Sequence, residues 1–278
     1  MAVNDALGDR MKENYENRYR ISLTRRTPVI IRVDGKAFHT FTKHFEKPYD
    51  IIFKKSMWDT ACDLCLFIQG AKFAYVQSDE ISILLTDYKK LTSEAYFDYN
   101  LQKMVSVTAS HAAIRFYKNM ENNVLAAEHK GYHDWLKYLR ETDIAAVQDK
   151  YLGYDAVFDA RAFNIPVSEV VNYFVWRQQD ATKNSIAMLG RCYASQKELH
   201  NLHSKQIREL LSSKYKVNWE DMPAFFKKGV AIIKESYIIN EGKKDEAMRT
   251  RWIPLTHCPI FTQDRTFIEQ YLGVEDDH

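Results

Sequence analysis

Cysteine is scarce in this chain. Four residues, at 62, 65, 192 and 258, are too few and too scattered for a disulfide framework, and they suit a reducing compartment such as the cytoplasm. Cys62 and Cys65 have the spacing of half a zinc site, yet no second CxxC or HxxxH follows, and a closed site needs four ligands. Both lie in "IIFKKSMWDTACDLCLFIQG", where apolar residues recur at helical spacing, so core packing is the better reading. No apolar run is long enough to cross a bilayer, and "MAVNDALGDRMKEN" lacks the apolar stretch of a secretory leader, so no membrane partner is expected. The nine glycines and six prolines build no linker, and no internal repeat appears. A formal charge of +2 over 278 residues neither marks a nucleic-acid binder nor excludes one whose basic residues cluster. What is present is apolar: 46% of the residues, enough for a substantial core.

The pattern predicts a charged helical segment over 1–27, a strand at "PVIIRVD", and a helix near 50–69. "KFAYVQ" and "ISILLTD", joined by "SDE", read as a hairpin. "SEAYFDYNLQKMVSVTASHAAIRFY" reads as a long helix with an apolar face through Met104, Val107, Ala109 and Ile114. The stretch 119–154 is polar and helix-leaning. "AVFDARAFNIP" is a strand candidate, and Ser168 is a candidate cap for the helix that follows. A helix over about 195–213, a late strand or strand pair in "KKGVAIIKESYII" and a basic loop "EGKKDEAMRTR" complete the chain. Tight turns between strands favour an α+β fold with a largely antiparallel sheet.

One strand, "IIRVDG", ends on Asp34 and Gly35, and the hairpin tip carries Asp79 and Glu80. If these strand ends meet, two or three carboxylates share one edge and raise each other's pKa. A divalent cation resolves the conflict: magnesium takes oxygen ligands, commonly one or two carboxylates plus substrate phosphates. Gly35, with no side chain, lets backbone approach a metal or triphosphate. Taken singly, each motif is also an ordinary turn.

Together, "IIRVDGKAFHTF", "HFEKPYD", "YVQSDEISILL", "FDARAFNIP" and "VVNYFVWRQQDATKNS" resemble, in order and spacing, the tRNA-His guanylyltransferase family, which includes guanylyltransferase-like 3′–5′ polymerases. The likeness runs from about residue 10 to 238. It implies a palm-like polymerase catalytic domain, with one catalytic unit over 1–278, its core roughly 28–165 and a C-terminal part, 166–278, serving RNA binding or oligomerisation. It implies two Mg²⁺ ions, ATP, GTP and other nucleoside triphosphates as substrates, tRNA as partner and a homotetramer. Nucleotides are added to the 5′ end of tRNA after activation of that end.

By the same resemblance Asp34, the Gly35 carbonyl and Asp79 are metal ligands, and Glu80 is a further catalytic carboxylate. Lys36 and Lys47 neutralise phosphates, His39 and Phe45 contact sugar or base, Asp50 accepts from a base edge, and Ser78 supports the Asp79 turn. For Phe45 a place in the core is an equal alternative. Lys103 aligns with a triphosphate-binding lysine, and Lys205 with another phosphate contact. RNA-binding candidates are Arg25, Arg26, Arg208, Lys214, Lys216, Lys243, Lys244, Arg249 and Arg251, with His200 and His203 more plausible as plain surface residues.

The departures count too. After Trp176–Asp180, Thr182 and Lys183 stand where the dedicated tRNA-His enzymes carry His-Ile, and only Asn184 of that motif survives. Tyr99 and Asn100 replace a basic pair. These differences favour template-dependent repair of 5′-truncated tRNAs over guanylate addition to tRNA-His. A non-catalytic RNA-binding module and a palm-fold nucleotide cyclase are the readings from other classes.

Overall fold

The computed structural model describes residues 6–88, 90, 92–129, 150–153, 155–239 and 247–273, with backbone only at 127–129. Six strands make one sheet: β1 (Val29–Gly35), β2 (Ala71–Gln77), β3 (Glu80–Leu85), β4 (Phe158–Asn164), β5 (Val230–Ile239) and β6 (Ala247–Leu255). Their order is β4-β1-β3-β2-β5-β6, and every neighbouring pair is antiparallel. Among the described residues the named helices are α1 (Ala6–Met11), α2 (Phe38–Phe41), α3 (Ile51–Phe67), α4 (Leu101–His129), α5 (Val167–Tyr193), α6 (Gln196–Leu199), α7 (Ser204–Leu210), α8 (Ala224–Lys228) and α9 (Thr266–Glu269).

Both faces of the sheet are covered, which explains why β1 is a continuous apolar run instead of an alternating one. Val29, Ile31 and Val33 point to one side, where Met57, Ala61 and Leu64 of α3 and Phe116 of α4 meet them. Ile30 points to the other, among Phe73, Leu84, Val170 and Phe174. A smaller core joins Ile186 and Leu189 of α5 to Ile207, Leu211, Trp219 and Phe226. The sheet draws β5 and β6 from the C-terminal segment.

Several expectations change here. The buried stripe of α4 is Met104, Thr108, Ala112, Phe116, Met120 and Val124, an i, i+4 run, whereas Ile114 is exposed. The expected set skipped between faces. α5 starts at Val167, with Pro166 at the cap position, so Ser168 lies inside the first turn. The single helix expected over 195–213 is broken: Ser195 caps α6, and α7 follows, with a π-helical turn at Leu211–Tyr215. Residues 247–251 of the expected basic loop are strand, with Ala247 opposite Ile239 and Arg251 opposite Glu235; Lys243 and Lys244 lie outside the described residues. In the N-terminal segment helical turns cover Ala6–Tyr19 and bury nothing. The 119–154 segment is helix to His129, and 130–149 lies outside the described residues.

The junction of α8 and β5 turns on Gly229, whose φ is +70°. A Cβ there would meet Tyr75 Oη at 2.4 Å and Val76 O at 2.7 Å. Tyr75 Oη donates to the Lys228 carbonyl at 2.5 Å, locking the turn to β2. Gly229→Ala is therefore expected to lose about 1–3 kcal/mol in urea denaturation. Gly273→Ala, at φ +62° with open space around it, is the milder control.

Candidate active site

β1 and the β2–β3 hairpin bring the sequence's acids to one place. The hairpin turn is two residues, Ser78 and Asp79, and Ser78 takes the left-handed φ of +50° that such turns demand. The Gly35 amide donates to the Asp79 carbonyl at 3.1 Å, pinning the end of β1 to the tip of the hairpin. Asp34 stands opposite Glu80 on one side and Asp159 on the other. Burial pushes the Asp79 carboxyl up, and the Asp34 charge pushes it further, while the Ser78 hydroxyl pulls it back. Gly35 has a second reason to lack a side chain: a Cβ would strike the Phe38 ring at 2.3 Å.

Glu80 goes elsewhere. Its carboxylate pairs with the buried Arg177 of α5 at 2.8 Å, and the Ser82 hydroxyl and Gln77 amide each lie 3.3 Å from it. Burial raises its pKa and the Arg177 charge lowers it. The carboxylate expected as a third catalytic acid is thus held by a guanidinium. Arg177 also pairs with Asp180 at 2.8 Å and lies 4.2 Å over the Trp176 ring.

Beside the acids opens a cleft of about 350 Å³. Its polar lining includes Gly35, His39, Lys47, Asp50, Lys54, Ser78, Asp79 and Asn184; its apolar lining includes Tyr49, Met188, Phe225 and Phe226. These apolar residues belong to the smaller core, so that core supplies one end of the cleft. Lys47 Nζ donates to the Thr42 carbonyl at 3.0 Å.

Other expected residues are placed differently. Asp50 is buried: Oδ1 caps α3 by accepting from the Phe53 amide at 3.0 Å, and Oδ2 accepts from the Glu46 amide at 3.1 Å and the Tyr151 hydroxyl at 2.7 Å. Its oxygens serve the loop, and the residue also lines the cleft. Phe45 is buried against Phe41, Phe53 and Tyr151, with an edge in the cleft. Lys36 is exposed, anchored by its amide to the Val157 carbonyl, and its side chain is not in the cleft lining. Lys103, in the first turn of α4, and Lys205, 4.0 Å from Glu209 on α7, are also exposed and outside the lining. Asn100 caps α4 through the Lys103 amide at 3.0 Å.

The expected RNA-binding cations are largely engaged by acids. Arg25 pairs with Asp87 and Asp98, Arg208 with Glu220, Lys214 with Glu198, and Arg251 with Glu235. Lys216 Nζ donates to the Ser213 carbonyl, and Arg249 is exposed. The His203 amide is capped by Gln206. Among the cysteines Cys65 and Cys258 are buried, and Cys62 half-buried; all four are free, and among the described residues no three His, Cys, Asp or Glu side chains form a metal cluster.

Two groups escaped the sequence reading. Arg177 sits inside the quoted "VWRQQD" block, where nothing local shows that it reaches Glu80. Lys54 lies four residues after the α3 cap, a spacing that places both on one helix face.

The family model for tRNAHis guanylyltransferase (Thg1) matches residues 8–166. The chain belongs to that family. An uncharacterised protein, R259, of Acanthamoeba polyphaga mimivirus is 28% identical over 88% of this chain and 82% of its own length. The tRNA(His) guanylyltransferase of Saccharomyces cerevisiae is 26% identical over 76% of this chain and 84% of its own. Among solved structures, a bacterial tRNA(His) guanylyltransferase (Thg1)-like protein in complex with ATP superposes with a TM-score of 0.78 at 41% identity, covering 96% of this chain and 98% of that one. A bacterial Thg1-like protein in complex with GTP gives 0.75 at 40% identity, covering 96% and 99%. The fold is thus the α+β, palm-like nucleotidyltransferase fold that the family resemblance implied, and the family is one of nucleotidyltransferases.

Removing Arg177 would leave Glu80 buried without its counter-charge. Arg177→Ala is expected to cost about 3–5 kcal/mol of stability, read as a lowered urea midpoint.

Proposed function

We propose that the protein is a Mg²⁺-dependent nucleotidyltransferase that adds nucleotides to the 5′ end of tRNA in the 3′–5′ direction, repairing 5′-truncated tRNAs against their own 3′ strand. The observation that carries it is the Gly35–Asp79 hydrogen bond, which joins the end of β1, next to Asp34, to the hairpin tip whose Asp79 lines a cleft sized for a nucleotide. ATP or GTP as the activating nucleotide is supported by the complexes of the bacterial relatives.

The donor set suits magnesium. Asp79 is destabilised as an anion by burial and by Asp34, a cost that a cation removes. The chain would contribute Asp34, Asp79 and the Gly35 carbonyl, leaving the remaining positions to water and phosphate oxygens, as Mg²⁺ prefers. Bound there, two such ions supply charge neutralisation on the triphosphate and a lowered pKa for the attacking hydroxyl. The protein's own residues do the rest. Lys47 offers its cation to phosphate, Ser78 steadies Asp79, and Tyr49, Phe225 and Phe226 give a base an apolar seat. Arg177 keeps Glu80 from drifting into the acid pair. In the transfer, the 3′-oxygen of the incoming nucleotide bonds to the 5′-terminal phosphorus of the RNA, and the anhydride bond to its activating group breaks. AMP or GMP leaves from a nucleotidylated end, or pyrophosphate from a triphosphate end, and the hydroxyl proton passes to solvent. Positioning and electrostatics suffice for such chemistry.

The branch assignment rests on the α5 departure. Thr182 Oγ1 lies 3.1 Å from the Gln178 carbonyl and 3.2 Å from that of Lys227, so it fastens α8, and Asn184 Nδ2 reaches Asp180 at 3.2 Å. With His-Ile absent, Watson–Crick pairing is left to choose the nucleotide. A homotetramer follows from the family likeness.

With Mg²⁺ and a labelled nucleoside triphosphate, a 5′-truncated tRNA other than tRNA-His is expected to be extended to full length. Asp34→Ala and Asp79→Ala should each reduce extension by about 10³-fold with unchanged circular dichroism. Addition only to intact tRNA-His, untemplated, would reject the repair assignment. Tight tRNA binding without transfer would mark a non-catalytic module, and cyclic nucleotide from triphosphate alone a cyclase.

A further inference from the structure

Lys54 presents an unspent cation to the cleft. The residue sits in the first turn of α3, half-buried, between the cap residue Asp50 and the buried Met57. Its amide donates to the Asp50 carbonyl, and the neighbouring Phe53, Ser56 and Met57 are all buried, so its backbone is held. The side chain lines the same cleft as Lys47, Ser78 and Asp79. Its ammonium lies 5.7 Å over the Phe53 ring, and among the described residues it has no hydrogen bond or ion pair. Asp79 is the acid whose charge it feels, and Lys47 the opposing cation.

A lysine in this setting weakens the fold. Burial depresses its pKa to about 8, only partly countered by Asp79, and a methionine of the same length would fill the place without that penalty. Groups kept against their own stability concentrate where function uses them. Two lysines facing one cleft from separate segments, a loop and a helix, also repel each other until an anion lies between them.

We propose that Lys54 contacts the phosphate chain of the bound nucleotide and, together with Lys47, makes the cleft select nucleoside triphosphates over monophosphates. The assignment rests on the nucleotide reading of the cleft. A purely structural role, in which the lysine stem packs on Phe53 and its charge merely balances Asp79, predicts something different: loss of stability on substitution, and equal effects on every nucleotide.

The test is isothermal titration of the full chain, with Mg²⁺ and without RNA, using α,β-methylene-ATP and AMP as probes. Lys54→Met is expected to weaken binding of the triphosphate analogue about 10-fold while leaving AMP affinity unchanged, and Lys54→Arg to restore most of the loss. Without nucleotide, the melting temperature of Lys54→Met should equal or exceed that of the parent; Lys54→Gln, which keeps a polar tip, serves if the methionine variant does not fold. Equal losses for both probes, or none, would overturn the assignment. If the parent binds neither probe, the nucleotide reading of the cleft falls and this assignment falls with it.

Discussion

One hydrogen bond organises the site: the Gly35 amide to the Asp79 carbonyl, 3.1 Å long, across the seam between β1 and the hairpin. It sets how closely two carboxylates on separate segments approach, and so decides both their mutual repulsion and their fitness for a cation. The β1–β3 ladder, with six paired positions from Val29 to Asp34, fixes its register. A slip of one residue would turn Asp34 to the opposite face. The apolar run of β1 is therefore the ruler that measures out the acid pair.

The even-numbered face carries a second electrostatic layer. Glu80, next to Asp79 and opposite Asp34, would crowd the pair if left free; Arg177 reaches across from α5 and takes it. Asp180 and Trp176 of the same helix hold the Arg177 side chain, and its pair with Glu80 ties the helix that covers one face of the sheet to the end of β3. Substrate groups meeting Asn184 or Met188 thereby touch the same helix that restrains Glu80.

Much of this was legible beforehand, because strand ends and hairpin tips are local features. "IIRVDG" and "VQSDEIS" state where their acids stand, and the antiparallel sheet follows from the tight turns. The structural duties of Asp50 were not legible, because a cap and a ligand use the same oxygens and the Tyr151 hydroxyl that reaches it lies 101 residues away. The α4 stripe was misplaced because alanine, threonine and methionine carry little contrast, so the i, i+4 run is weaker in letters than in space. β6 was hidden by its charges: alternating Arg249 and Arg251 read as loop until their partners on β5, Tyr237 and Glu235, are seen. Arg177 and Lys54 owe their meaning to neighbours distant in sequence.

The acid-matched arginines and lysines on the surface have a consequence for how an RNA would be gripped. A phosphate arriving at Arg208 or Arg251 must evict a carboxylate that belongs to the protein, where on a bare basic face it would release a sodium ion from the nucleic acid. The exchange is closer to neutral, so ionic strength should govern attachment only gently. Under the proposed repair function, discrimination would then fall to the shape of the docked end and to whether an unpaired template base faces the cleft, and a polynucleotide with nothing to mend would have little reason to stay.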